Sequence, residues 1–164
     1  MSTATLLATL RTRLLTFDRA NGGSRLVDIL GSTTSGAGST GKLYHVQAPD
    51  NVTDPANSPS RWGIYSLKNR RRNAENAERE LVDLEVMLFA RPRGQQAAME
   101  DAADACDEAM RRYEEFTNDV IGCWGSIRNT LPVMAEPADR EVVQIRLVYT
   151  LVVYPDHLTQ YETA

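Results

Sequence analysis

The chain has 164 residues, a formal net charge of −4 and 42% hydrophobic residues, which suits one domain with one real core. That mildly acidic balance argues against a dedicated duplex-DNA binder, whose electrostatic footprint is basic. Apolar stretches are broken within a few residues by Arg, Gln, Asp or Glu, short of the ~20 a membrane helix needs, and Cys106 and Cys123 do not make a disulfide framework.

Residues 5–17 predict a helix, with Leu6, Leu7, Leu10, Leu14 and Phe17 at three- and four-residue spacings. Ser2 or Thr3 can cap it, and Asn21-Gly22-Gly23 ends it. Arg11 and Arg13 interrupt its apolar pattern, and no cleavage site follows, so it does not read as a signal peptide. Residues 24–30 suggest a second, short helix. Residues 32–41 form a Gly/Ser/Thr tract expected to be a mobile loop. A short strand is expected over 42–48, built on Leu43, Tyr44 and Val46. Pro49, Pro55 and Pro59 then exclude an interior strand over 49–60.

A strand follows at 61–67, with Trp62, Ile64 and Leu67. A stronger one spans 80–91, where Val82, Leu84, Val86 and Leu88 share a face opposite Asp83, Glu85, Met87 and Phe89. The hydrophilic residues 68–79 between them are expected to form a flexible loop, long for a hairpin. Residues 95–116 give the clearest helix. Met99, Ala102, Cys106, Ala109, Met110, Tyr113 and Phe116 line one stripe. Another short strand is expected at 123–129 and a Pro-containing loop at 131–139.

The most informative run is 140–154. Val143, Ile145, Leu147, Tyr149, Leu151 and Val153 occupy one parity and cover a core. Val142, Gln144, Arg146, Val148, Thr150 and Val152 occupy the other, polar at first and then apolar. Such a strand would span roughly 40–50 Å at ~3.3 Å per residue, well beyond the usual ~5–6 residues. Part of the sheet is therefore expected to continue into an assembly. A polar tail follows from about 156. The order of elements shows no regular βαβ alternation. The expected fold is α+β: a mostly antiparallel sheet, one long helix packed across it, and an N-terminal helix, all in a single domain over 1–164.

Several motifs invite a chemical reading. Gly36-Ala37-Gly38-Ser39-Thr40-Gly41-Lys42 spells GxxxxGK, but Leu43 stands where a phosphate-binding loop needs Ser or Thr to hold Mg²⁺, and a strand rather than a helix follows. His45 and His157 have no metal-ligand spacing to each other or to the cysteines. Cys106 lies on the helical stripe, where a thiol is normally a small core side chain. Asp101, Asp104 and Glu108 align as an acidic strip, read as a solvated face with a subunit contact as the minority reading. Lys68, Arg70, Arg71 and Arg72 form a basic cluster at the expected loop. No aromatic interleaves it, and Glu75, Glu78 and Glu80 offset its field, so a protein contact or simple solubility is preferred to nucleic acid.

Taken together, the chain resembles the tail terminator (minor tail or tail-completion) proteins of long-tailed bacteriophages. The resemblance rests on the order of elements: the first helix, the segment Lys42-Leu43-Tyr44-His45-Val46-Gln47-Ala48-Pro49, Trp62-Gly63-Ile64-Tyr65, a charged loop, the strand ending Phe89-Ala90-Arg91 before the long helix, and the late strand. It covers residues 5 to about 155. The resemblance implies a virion protein assembled in the host cytoplasm, with no enzymatic activity and no cofactor or metal. It implies a homo-oligomeric, hexameric ring at the head-proximal end of the tail tube. That ring would stop tube polymerisation and join the tube protein to the head–tail connector, with DNA only passing through its lumen and no membrane partner. Candidate contact residues are Arg70, Arg71 and Arg72, with Val148, Thr150 and Val152 on the second face of the last strand. A head–tail adaptor of the same virion is the alternative. A small cytosolic enzyme using Cys123 or His45 is the rival from another class.

Overall fold

The computed structural model describes residues 3–31, 42–49, 60–72, 79–91, 93–111, 120–131 and 142–153. The expected loops at 32–41 and 131–139 fall almost wholly outside these, as do Tyr113, Phe116, His157 and the polar tail. In chain order, helix α1 is Thr3–Thr16, helix α2 Leu26–Leu30, strand β1 Leu43–His45, strand β2 Ser60–Arg72 and strand β3 Glu80–Arg91. A 3-10 turn, Arg93–Gln95, leads into helix α3, Gln96–Arg111. Strands β4, Val120–Leu131, and β5, Val143–Val153, complete the order. The strands form one sheet in the order β1-β2-β3-β5-β4. Only the short β1–β2 pair is parallel; the other neighbours are antiparallel. The fold is α+β, as the sequence predicts.

The period-two pattern of β3 and β5 sets the layers. Val82, Leu84, Val86, Leu88 and Ala90 on β3 are buried, as are Val143, Ile145, Leu147, Tyr149, Leu151 and Val153 on β5. The register pairs Leu84 with Tyr149 and Leu88 with Ile145, so both apolar sets share a face. Helix α3 covers that face, touching β3, β4 and β5, through Met99, Ala102, Cys106, Ala109 and Met110, each at most 1% exposed. Ala at two of these positions, 102 and 109, lets the helix lie close to the sheet. Leu6, Leu10 and Leu14 of α1 and Leu26, Ile29 and Leu30 of α2 extend the same core.

Strand β1 is held to β2 by a close approach. A Cβ on Gly63 would stand 2.8 Å from Leu43 Cδ1 and 3.3 Å from Leu88 Cδ2, so a side chain here would push on the tips of two buried leucines. Gly63 N–H donates to Lys42 O, and Arg11 Nε of α1 donates to Leu43 O at 2.9 Å. Lys42 therefore leads into a strand and not a helix, as the sequence predicts, whereas a nucleotide-binding loop opens a helix.

Three boundaries differ from expectation: β1 stops at His45 and leaves Val46 outside the strand, β4 runs from Val120 to Leu131 beyond the expected 123–129, and β2 is longer. Residues 68–72 are strand, not loop: β2 runs to Arg72 with a bulge between Lys68 and Arg71, where Asn69 takes φ 53°. Hydrophilic composition marks a solvated strand here, because β3 offers acidic partners across the ladder and opposite charges facing each other stabilise such pairs.

Candidate interface on the helix-free face of the sheet

Among the described residues the helices cover one face of the sheet and leave the other free of helix. On the other face β3 presents Leu81, Asp83, Glu85, Met87 and Phe89, all half-buried. Along this strand the chemistry passes from ionic to aromatic.

At the ionic end, two carboxylates of the middle strand bind both neighbouring strands. Glu85 accepts from Lys68 Nζ of β2 at 2.7 Å and from Arg146 Nε of β5 at 2.9 Å. Asp83 accepts from Asn69 Nδ2 at 3.1 Å, Arg71 Nη2 at 3.3 Å and Thr150 Oγ1 at 3.0 Å. Arg70 Nε reaches Glu80 Oε2 at 2.6 Å. Burial opposes ionisation of Glu85, yet the hydrogen bonds from Lys68 and Arg146 outweigh it and hold the carboxyl below its ordinary value.

Two of the candidate contact residues, Arg71 and Thr150, thus meet on one carboxylate. Arg70 and Arg71 are engaged within the chain but remain partly open, with side chains 32% and 44% exposed. Arg72 is exposed. Val148 stands opposite Glu85 and is half-buried. Val152 is only 1% exposed and already lies within the chain's own packing.

At the aromatic end, Trp62 and Phe89 face each other in register and stack, with ring centroids 5.3 Å apart and planes 10° off parallel. Arg91 lies over the Trp62 ring. Ala48, Tyr44, Ile64 and Val142 complete this small second core.

The acidic strip on α3 is not a bare solvated face. Arg19 Nη1 donates to Asp101 at 2.7 Å and also engages Glu108. Arg128 of β4 donates to Asp104 at 2.7 Å and Asp107 at 3.3 Å, and it pairs with Glu100. Hydrogen bonds to Asp101 and Glu108 raise the Arg19 pKa against the opposing effect of burial. These clusters fix α3 to the segment after α1 and to the edge strand. Neither Arg19 nor Arg128 stands out in sequence, because their partners lie 82 and 24 residues away.

Little here suits catalysis by Cys106. Its side chain is fully enclosed and burial pushes the thiol well up, so it stays protonated at neutral pH. His45 is exposed beside Tyr65, with ring centroids 5.4 Å apart. Among the described residues, no group of three or more His, Cys, Asp or Glu could hold a metal ion, and no helix is long and apolar enough to cross a membrane. A cavity of about 250 Å³ between Asp28, Lys42, Arg61 and Gln95 falls below the ~300–1,000 Å³ of small-molecule sites. Arg61 is engaged there with Gln95 Oε1 at 2.6 Å and Ile29 O at 3.1 Å.

No protein-family model and no curated protein matches the sequence. The fold is similar to that of a chain in the virion of a native gene transfer agent particle. The likeness covers 91% of this chain and 94% of that one, at a TM-score of 0.52 and 15% sequence identity.

Proposed function

We propose that this chain is a structural, non-enzymatic protein of a phage-like virion. More specifically, it is a tail terminator acting as one domain: a ring, of six copies by family resemblance, at the head-proximal end of the tail tube. The observation that carries this is the end-to-end likeness to a chain of a gene transfer agent virion, 91% of one chain on 94% of the other. A likeness spanning nearly all of both chains is one of whole architecture, not of a common submotif.

The helix-free face supports the assembly reading. It mixes ion pairs already satisfied within the chain with half-buried Met87 and Val148, which suits a protein contact with a polar rim. On this reading Arg70, Arg71 and Arg72 meet carboxylates of a neighbour or of the tube, where a guanidinium can bind two oxygens at once. Val148 and Thr150 lie in the contact between copies. Cryo-electron microscopy of the particle's neck tests the proposal. A ring of this chain between tube and head connector is the expected result. A single copy, or a position away from that junction, would sink it. Placement directly on the portal side would instead favour the adaptor.

A further inference from the structure

Val46 stands in an unusual state. Its φ is 68°, a region that a β-branched residue enters only as a true outlier. Gln47 N–H donates to His45 O at 2.8 Å across it, which makes residues 45–47 a γ-turn of the rare, positive-φ kind. Val46 N–H in turn donates to Tyr65 O at 3.1 Å and anchors the turn to the sheet. The residue is 63% exposed and is the only large hydrophobic residue so exposed among those whose burial is described, which leaves out most of β4. Folding alone favours glycine or asparagine here. A strained backbone that holds a valine out into water is better explained by a contact made outside the chain.

Its surroundings narrow the partner. The described segment around it, Leu43-Tyr44-His45-Val46-Gln47-Ala48-Pro49, carries no Lys, Arg, Asp or Glu, and Arg11, which reaches it, donates to Leu43 O, so it suits a protein socket without charges. This chain holds such a surface. Met87 and Val148 are diagonal neighbours on the helix-free face, across β3 and β5, and both are half-buried. The ions beside them, Glu85, Lys68 and Arg146, are paired with one another, so covering Met87 and Val148 strands no charge. Met adapts readily to an inserted side chain. Knob and socket lie in the same band of the sheet: Val46 bonds to Tyr65, Tyr65 faces Val86, and Val86 precedes Met87. With the knob on the β1 edge and the socket towards β5, a head-to-tail contact can join successive copies.

We infer that Val46 of one copy inserts against Met87 and Val148 of the next copy, and that the strained turn exists to present it. The inference rests on the ring reading for the head-to-tail sense of the contact, since a reciprocal contact closes a two-fold dimer and a head-to-tail one that closes makes a ring.

Sedimentation velocity over a concentration series, with thermal melting of the same full-length samples, tests this. The parent should self-associate. Val46→Asn tolerates the backbone and removes the apolar tip. It should melt at or up to a few degrees above the parent, yet associate at least tenfold more weakly. Val46→Ile should associate like the parent. Val148→Thr, a change of similar shape that β-strands accept, should weaken association comparably. A parent that stays monomeric throughout overturns the inference. So does association unchanged in Val46→Asn or Val148→Thr, or a Val46→Asn protein that melts well below the parent. Failure of the ring reading looks different: association through Val46 in a particle that holds no ring keeps the contact, and a ring with Val46 facing solvent removes the contact but keeps the ring.

Discussion

The Tyr149 hydroxyl donates to Asp107 Oδ1 at 2.6 Å, while its side chain is only 1% exposed. Asp107 Oδ2 accepts from Arg128 Nη1 at 3.3 Å. One carboxylate of α3 therefore gathers the last two strands, β5 through Tyr149 and the edge strand β4 through Arg128. Tyr149→Phe keeps the ring and removes the bond. It should cost about 1.5 kcal/mol, the range of a hydrogen bond to a charged acceptor, read by urea unfolding with an unchanged m-value. A cycle with Asp107→Asn should return most of that as coupling.

Helix α3 is bound to the sheet by burial. Met110→Asp places an unpaired charge where the parent side chain is 1% exposed. The expected loss is about 3–5 kcal/mol, a large part of the ~5–15 kcal/mol that holds a typical domain folded. A variant that melts like the parent would remove this face of α3 from the core.

Glu85 makes a pH prediction. Its folded pKa lies below the ordinary value, so the stability it contributes is fully present above that ordinary value. It is lost as pH falls through the lowered one. Glu85→Gln removes the charge and should cost about 1 kcal/mol at neutral pH, a figure kept small because Lys68 and Arg146 are 52% and 39% exposed. The gap between parent and variant should close as the pH is taken below the usual carboxylate range. A gap that stays constant down to pH 2 would show that shape, not charge, sets the effect.

Much of this architecture is written locally. Alternation along 80–91 and 140–154 identifies both central strands and their buried faces, because a two-residue period leaves no choice of side. The stripe from Met99 to Met110 does the same for α3. What escapes the sequence is pairing at a distance. The basic run at 68–72 has the composition of a loop, and only the acids of β3 make it a strand. Arg19 and Arg128 belong to α3 through contacts that no spacing encodes. The turn at Val46 contains neither Gly nor Asn, so nothing marks it as a positive-φ site. Alternation along β5 places Thr150 and Val148 on the face opposite the described helices. It also offers Val152, which the chain buries for itself.

Gly63 tests how closely β1 must lie. A methyl group there meets Leu43 and Leu88, both 0% exposed with nowhere to retreat. Gly63→Ala should cost about 1–3 kcal/mol by overpacking. It should also speed amide exchange at position 63, whose N–H donates to Lys42 O in the parent, more than at Leu84 in the middle of the sheet.

Replacing Arg70, Arg71 and Arg72 together by Ser separates folding from assembly. Arg70 and Arg71 pair with Glu80 and Asp83 across the ladder, so the triple change is not silent for the monomer. Those pairs are partly solvated, and surface pairs contribute ~0.2–1 kcal/mol each, so the melting temperature should fall by only a few degrees. Assembly should suffer far more if these side chains also reach carboxylates on a neighbour. Joining by the parent should then decline as salt rises, because exposed ion pairs are screened beyond ~8 Å at physiological ionic strength. Joining by the triple variant should start low and depend little on salt. In a head-and-tail joining assay, equal yields from parent and variant across the salt series would confine all three arginines to the surface of their own sheet.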